Sequence, residues 1–471
     1  MDRCSCRSGV TVRVRINPRR FSGTVKIPAS KSHTIRQLLI ASLADGVSEI
    51  QYPLDSLDTR SCVSACRAFG AEIAEYRTAD PANPNPPDEN GEKLTGWKVT
   101  GNNNFKNPHY SFSTSHSPFP IPHSPLPNSR TTIDVGNSGT TLYLALAVAG
   151  LQPETVEFTG DEQIKRRSAA PLLDALAGLG VLCESNNGCA PIRIKGPWKG
   201  GKVSLSCPTS QYLSALLIAS PLAPSGVITE IEVPLLNEKP YIGMTLSYLK
   251  AHGISFHTEP DFSHFVIPGG SSWKAFSRAV PADFSSAAFP SAAAAITGGP
   301  VTLLGLDPKD TQGDKFFLEM LKSMGCEVRG SPITVSRGGP LHGGTFDLNE
   351  TPDLLPAAAV TAAFAQGDTA LVNVAHARIK ETDRIAVMAE ELAKLGVNCT
   401  ERPDGLVVHG KGALSPFDQF PVINSRGDHR IVMAFAAAAL GSSVPIDITG
   451  AESAAVTYPG FLDLLDARRM D

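Results

Sequence analysis

The stretch Gly427–Gly441, GDHRIVMAFAAAALG, opens on a small polar turn, carries no charge after Arg430, and stops at glycine. A helix that is apolar on every side has to be buried. Five other stretches share the design: SKSHTIRQLLIASLADG from Ser30, GNSGTTLYLALAVAG from Gly136, TSQYLSALLIASPLAPSG from Thr209, DFSSAAFPSAAAAITGG from Asp283 and PDLLPAAAVTAAFAQG from Pro352. With Ser32, Ser138, Ser210, Ser286, Leu354 and His429 as equivalent points, successive intervals are 106, 72, 76, 68 and 75 residues. The chain therefore repeats a unit six times. The long first interval contains Thr78–Arg130, a Pro-, Asn-, Ser- and His-rich stretch with little hydrophobic periodicity, expected to be an exposed insertion with one short strand at WKVTG.

Between the apolar runs lie amphipathic segments such as APLLDALAGLGVLCE, PYIGMTLSYLKAHGISF, KFFLEMLKSMGCEV and IAVMAEELAKLGVNCT. Each reads as a second helix that ends at glycine and leads into a strand. Units of two helices and several strands are long enough to wrap a closed core, which favours two α/β domains of three units over a solenoid. The expected boundaries are 30–281 for one domain, carrying the insertion at about 78–130, and 1–29 plus 282–471 for the other.

The chain has 471 residues, 42% hydrophobic and 19% charged, so it can bury a substantial core. Forty-two Lys and Arg against 46 Asp and Glu give a formal charge of −4, and no overall positive field would attract nucleic acid or anionic lipid. Apolar runs such as Met433–Leu440 fall well short of the ~20 residues needed to cross a bilayer. The first residues, MDRCSCRSGVTVRVRINP, lack the apolar core of a secretory signal, so a cytoplasmic protein is expected. Nine scattered cysteines do not resemble a disulfide framework. Cys4-x-Cys6 and Cys62-x3-Cys66 form no complete metal-ligand set, the latter pair fits one helix face, and His109, His116 and His123 read as a solvated loop.

The starts of the six apolar helices hold most of the polar residues that could do chemistry: Lys31-Ser32-x3-Arg36, Asn137-Ser138-Gly139-Thr140, Thr209-Ser210-Gln211, Asp283-x-Ser285-Ser286, Asp353, and Asp428-His429-Arg430. Helix N-termini carry unpaired N–H groups and partial positive charge, so they hold anions. Ser, Thr, Asp and Asn are also ordinary N-caps, but six such starts with cations embedded in them point to anion binding. Two further clusters add charge: Lys165-Arg166-Arg167, and Arg378-x-Lys380-Glu381-x2-Arg384. If the latter opens a helix, Lys380 and Arg384 project together with Glu381 beside them.

These residues carry a resemblance. PASKSHTIRQLLIASLADG, DVGNSGTT, GDEQIKRRSAAPLLDAL, TSQYLSALL, EKPYIGMTLSYLKAHG, VPADFSSAAF, RIKETDRIAVMAEELAKLG and GDHRIVMAFAAAAL, in that order from about Gly23 to Leu465, resemble the 5-enolpyruvylshikimate-3-phosphate synthase family. The resemblance implies an enolpyruvyl transferase-like fold, each of two domains built from three βαβαββ-type units with the active site in the cleft between them. It implies transfer of the enolpyruvyl group of phosphoenolpyruvate to the 5-hydroxyl of shikimate 3-phosphate, with release of phosphate and with no metal or organic cofactor. Carried over by position, Lys31 lies between both substrates, Ser32 and Arg36 hold the shikimate carboxylate, and Thr209, Ser210, Gln211 and Lys380 line the shikimate phosphate site. His376 and Asp353 face the shikimate ring. Asn137, Gly139, Arg167, Gln211, Arg384 and Arg430, with Lys31, match the phosphoenolpyruvate positions. Asp353 and Glu381 match the acid–base positions, Asp353 toward the hydroxyl and Glu381 toward the methylene carbon, with Lys31 as an alternative proton carrier. Nearby cations would lower the Glu381 pKa and weaken it as an acid. His429 orients its helix start. The partners are small molecules, and a monomer is expected.

Three positions depart from the family pattern: Tyr143 stands where Arg is usual, Glu238 replaces Ser before the Lys-Pro-Tyr element, and Val456 replaces Lys near the last Thr-Tyr-Pro. A Glu238 carboxylate aimed at a bound phosphate would cost several kcal/mol at an effective dielectric of about 20. Either it turns away, with Lys239, Lys199 or Lys202 supplying charge, or the substrate differs. Two alternatives follow: transfer to a UDP-linked amino sugar, as in UDP-N-acetylglucosamine enolpyruvyl transferase, whose reactive-cysteine loop is absent here, or a degenerate anion-binding homologue without turnover.

Overall fold

The computed structural model describes residues 12–80, 82–102, 131–414, 420–466 and 468–470. Cys4, Cys6, His109, His116 and His123 lie outside them. In chain order the α-helices are α1 (Lys31–Leu43), α2 (Leu57–Ala68), α3 (Gly139–Ala149), α4 (Ala170–Gly178), α5 (Gln211–Ala219), α6 (Lys239–Ala251), α7 (Phe284–Thr297), α8 (Phe316–Ser323), α9 (Leu355–Ala363), α10 (Arg384–Lys394), α11 (His429–Leu440) and α12 (Phe461–Leu464). The odd-numbered members are the six apolar runs, and every residue of α9 and α11 is buried. The even-numbered ones are amphipathic or shorter. Their glycine stops act as expected: Gly253 after α6 and Gly396 after α10 have φ of 70° and 68°, a left-handed conformation that costs glycine little.

Two compact units divide the chain. One comprises Ala29–Ala282 with Lys309–Gly313, and the other the remaining described residues. The first unit contains three four-stranded sheets with one pattern, a parallel pair followed by two antiparallel neighbours. In spatial order they are Ser277–Ala279, Val47–Gln51, Lys93–Thr100 and Glu72–Thr78; then Thr131–Asp134, Val156–Thr159, Cys189–Lys195 and Leu182–Asn186; then Gly201–Ser204, Ile228–Glu232, His264–Pro268 and His257–Thr258. The second unit repeats the pattern with Gly23–Lys26 beside Val301–Leu304, Thr345–Asp347 beside Ala365–Val372, and Val422–Asn424 beside Ile446–Thr449. Both units are closed by a strand distant in sequence. Ser277–Ala279 completes the sheet that starts at Val47, and Arg13–Ile16 pairs with Ile446–Thr449.

The expectation of an insertion beginning at Thr78 needs correction. Lys93–Thr100 is a central strand, paired on both sides, with Leu94, Trp97 and Val99 fully buried. Asn83 and Asn85 are buried as well. The Asn85 amide donates to the carbonyls of Pro53 and Leu94, and its oxygen accepts from the Asp55 N–H, so these polar side chains replace regular backbone pairing. Of that stretch, only Pro81 and residues 103–130 fall outside the described set.

Alanine is what lets α7, α9 and α11 pack together inside the second unit, since a short side chain permits close approach without voids. Just after α11, a Cβ added at Gly441 would lie 2.2 Å from Ile296 Cγ2 and 3.0 Å from Phe364 Cε1. Gly441→Ala is therefore expected to destabilise the fold by about 1–3 kcal/mol through overpacking. A urea midpoint equal to that of the unsubstituted protein would show that this contact is looser than its geometry.

Candidate active site

In the second unit, the starts of α7, α9, α10 and α11 are joined by one ionic network. Arg384, the first residue of α10, is 1% exposed. Its Nε donates to Asp428 Oδ2 (2.8 Å), its Nη1 to Asp353 Oδ1 (2.7 Å), and its Nη2 to Glu381 Oε2. Arg430 donates from Nη2 to the other Asp353 oxygen (2.7 Å) and to Ser285 Oγ (3.1 Å). Asp353, in the short 3₁₀ turn Pro352–Leu354 before α9, thus has one oxygen on each guanidinium. Burial alone would push its carboxyl up, but Arg430, Arg384 and Lys380 outweigh that and hold it well below the usual carboxylate range. Asp428 is shifted the same way: burial raises it, and Arg384 more than compensates. Three cations and three carboxylates balance within this cluster.

The i,i+4 reading of Lys380 and Arg384 does not hold. Asp383 caps α10 by accepting from the Ala386 N–H, so the helix begins at Arg384 and Lys380 and Glu381 lie in the preceding bend. Glu381 still reaches Arg384, and the charge of Lys380 still acts on Asp353. Arg378 does not join them, because its guanidinium is bound to Asp383, Glu401 and the carbonyls of Arg402 and Pro403. His376 is buried in the 3₁₀ segment Ala375–Ile379. His429 is buried beside Asp428, which caps α11.

The first unit holds the remaining candidates. Lys31 Nζ at the start of α1 lies 3.0 Å from Asp58 Oδ2 in the first turn of α2. Asp58 is a partner that the sequence reading passed over, since an acid in a first helical turn looks like ordinary dipole compensation. Asn137 donates to Gln163 Oε1 (3.0 Å) and accepts from Arg167 Nη2 (3.3 Å). A Cβ on Gly139 would come within 2.8 Å of Arg167 Nη1, so the guanidinium rests directly over the first residue of α3. Of the basic run, Arg167 alone turns toward Asn137; Arg166 is exposed, and exposed Lys165 pairs with Glu162.

Arg36 is 1% exposed and already engaged. It donates to Thr245 Oγ1, Ser214 Oγ, the Ser32 carbonyl and the Tyr241 carbonyl, and burial lowers its pKa to about 10. At the start of α5, Thr209 Oγ1, Ser210 N and Ser210 Oγ all donate to Glu238 Oε2, at 3.1, 3.0 and 2.8 Å. Gln211 follows, its Oε1 shielded from solvent. Tyr143 is buried in α3 with its ring edge-on to Tyr212, and Val456 ends the 3₁₀ stretch Ala451–Val456. Lys202 does not supply charge near Glu238, since it pairs with Glu230 and Glu232 on its own sheet. Lys239 acts on Asp261, and the stem of Lys199 covers Gly180.

The starts of α1, α3, α7 and α11 are capped by Ser30, Ser138, Asp283 and Asp428, whereas Ser210 makes no side-chain cap of its own. Capping thus accounts for part of the polar pattern. It does not account for Arg384, Arg430, Arg167 and Lys31, cations held at these starts by carboxylates or amides.

The family model for EPSP synthase (3-phosphoshikimate 1-carboxyvinyltransferase) matches residues 16–91 and 120–465. A 3-phosphoshikimate 1-carboxyvinyltransferase of Acetivibrio thermocellus is 41% identical over 459 residues, which is 96% of this chain and 97% of the relative. One of Methanocella arvoryzae is 38% identical over 95% of this chain and 96% of its own length. Among solved structures, the EPSP synthase of Acinetobacter baumannii superposes with a TM-score of 0.74 at 26% identity, covering 98% of this chain and 100% of that one.

The network makes a pH prediction. Asp353 and Asp428 have folded-state pKa values below the unfolded value of about 3.9, so as pH falls the unfolded chain takes up protons first. Their contribution to stability is complete above about pH 5 and declines progressively as pH falls below about 4 toward the lowered folded-state values. Unfolding midpoints at pH 7 and pH 3 should converge in an Asp428→Asn variant relative to the unsubstituted protein. Asp428→Ala, which removes a buried partner of Arg384, is expected to cost about 3–5 kcal/mol at pH 7.

Proposed function

The chain belongs to the EPSP synthase family and acts as a 3-phosphoshikimate 1-carboxyvinyltransferase, and we propose that its two charged clusters serve that one reaction. The enolpyruvyl group of phosphoenolpyruvate passes to the 5-hydroxyl of shikimate 3-phosphate, and phosphate leaves. Both substrates are multiply anionic, and bringing them together demands cations in a water-poor setting. Lys31, Arg167, Arg384 and Arg430 supply that charge, and the arginine forks suit carboxylate and phosphate oxygens.

Asp353 is the group on which the reading turns. A carboxylate held by two guanidiniums is a poor base, because its negative charge is already stabilised. Substrate anions that take over Arg384 and Arg430 release it, and its proton affinity rises as the nucleophile arrives. Asp353 then accepts the proton of the 5-hydroxyl as that oxygen attacks C2 of phosphoenolpyruvate. Glu381 delivers a proton to the methylene carbon, giving a tetrahedral adduct. Loss of phosphate and of a proton from that carbon restores the double bond. Glu381 is tied to Arg384 as well, so one exchange of partners prepares both carboxylates. The single observation that supports this reading best is the Asp353 carboxylate shared between Arg384 and Arg430.

Purified protein should release phosphate from phosphoenolpyruvate when shikimate 3-phosphate is present, and not when a UDP-linked amino sugar replaces it. The opposite preference would overturn the substrate assignment. Asp353→Asn keeps the shape but cannot take the proton, and kcat should fall by about 10²–10⁴-fold. A decrease confined to the KM for phosphoenolpyruvate would make Asp353 a placeholder for the substrate and nothing more.

A further inference from the structure

The Glu238 carboxylate occupies the start of α5, which the family resemblance gives to the phosphate of shikimate 3-phosphate. Its Oε2 collects three donors at once, the hydroxyls of Thr209 and Ser210 and the backbone N–H of Ser210. The residue is 2% exposed, and its charge acts on Arg36, itself buried. Two further observations show that this placement is not incidental. Glu238 sits at φ 59°, ψ 41°, a left-handed conformation disfavoured for a residue with a Cβ. It is also the residue before α6, where a glutamate could serve its own helix, yet its side chain makes no cap hydrogen bond there and crosses to α5 instead.

We propose that Glu238 is a built-in competitor for this anion subsite, so that shikimate 3-phosphate docks its phosphate at Thr209 and Ser210 only by displacing the Glu238 carboxylate. The inference rests on the function proposed above. A phosphate can engage the same donors through three separate oxygens, whereas the carboxylate gathers them on one, so exchange is chemically favourable for the donors. The displaced carboxylate remains tethered beside α6 and repels the new anion. Glu238 thereby acts as a specificity-determining residue: it raises the threshold for weakly held anions such as inorganic phosphate, and it leaves the subsite open to a ligand anchored elsewhere by further contacts.

The test compares the unsubstituted protein with Glu238→Ser and Glu238→Gln. The serine variant removes the competitor. The glutamine variant keeps the size and an acceptor oxygen while removing the charge, and it carries the test alone if the serine variant does not fold. In steady-state kinetics, the ratio of KM for shikimate 3-phosphate to KM for phosphoenolpyruvate should fall at least tenfold in the serine variant and by a smaller factor in the glutamine variant. Calorimetric titration of the ligand-free proteins with inorganic phosphate should show at least tenfold tighter binding in Glu238→Ser, and adding Ser210→Ala should abolish that gain. Unchanged or higher ratios in folded variants overturn the proposal, as does a gain in phosphate affinity that survives Ser210→Ala. Because the phosphate titration needs no turnover, its result stands apart from the activity assay. Absence of transfer by the unsubstituted protein would count against the proposed function, while the binding comparison alone decides the role of Glu238.

Discussion

A guanidinium with 1% of its surface exposed stays charged only if anions are buried beside it. Arg384 meets this condition with Asp353, Glu381 and Asp428, and those three partners decide where the starts of α9, α10 and α11 lie relative to one another within their unit. The pKa directions follow the same cause: burial disfavours every charge in the cluster, and mutual attraction more than restores it, raising Arg384 and lowering Asp353 and Asp428. Removing any one member leaves a charge without its counterpart in a setting of low polarisability, which makes the cluster cooperative.

The apolar helices make such a cluster possible. A helix buried on all sides offers only its ends to polar chemistry, so Arg384 and Arg430 gather with their carboxylates where α7, α9, α10 and α11 begin. Ser285, Asp353 and Arg430, from the starts of α7, α9 and α11, touch directly. In the first unit the same arrangement links Lys31 to Asp58, and Thr141 in the first turn of α3 to the Asp58 carbonyl. Alanine-rich helices bring these ends close, and the sheets outside them hold the register.

The six helices were legible because an all-apolar run ended by glycine has one physical reading. Strand Lys93–Thr100 was harder to see, since Trp97 and Val99 sit among residues whose polarity matched an exposed loop until Asn83 and Asn85 were found bonded to backbone. The closing strands could not be read at all: Ser277 pairs with Glu49 across more than two hundred residues, and only tertiary packing selects that partner. At the site, the cations and the carboxylates Asp353 and Glu381 were legible by spacing or resemblance, but Asp58 and Asp428 were not recognisable as their partners. Asp58 and Asp428 look like first-turn and capping acids, and they are, while also holding Lys31 and Arg384. Glu238 stood out as a departure, yet its destination depends on one left-handed backbone position that no pattern of residue types announces. Lys380 misled because Asp383 moves the helix start past it.

These internal carboxylates change what substrate binding means. In the proposed function, an anionic ligand entering either cluster does not meet bare positive charge but replaces an anion already present, so the cations lose little in the exchange. What changes is the state of the displaced group. Asp353, bound by Arg384 and Arg430, is a poor base, and in the function proposed above a substrate anion that takes those guanidiniums frees it to accept a proton. In the proposed reaction the Asp353 carboxylate is thus quiet while both guanidiniums hold it and becomes basic when a substrate anion takes them. Binding energy spent on displacement is recovered as basicity at the carboxylate that needs it, which directs the interaction toward the transition state and away from the ground state.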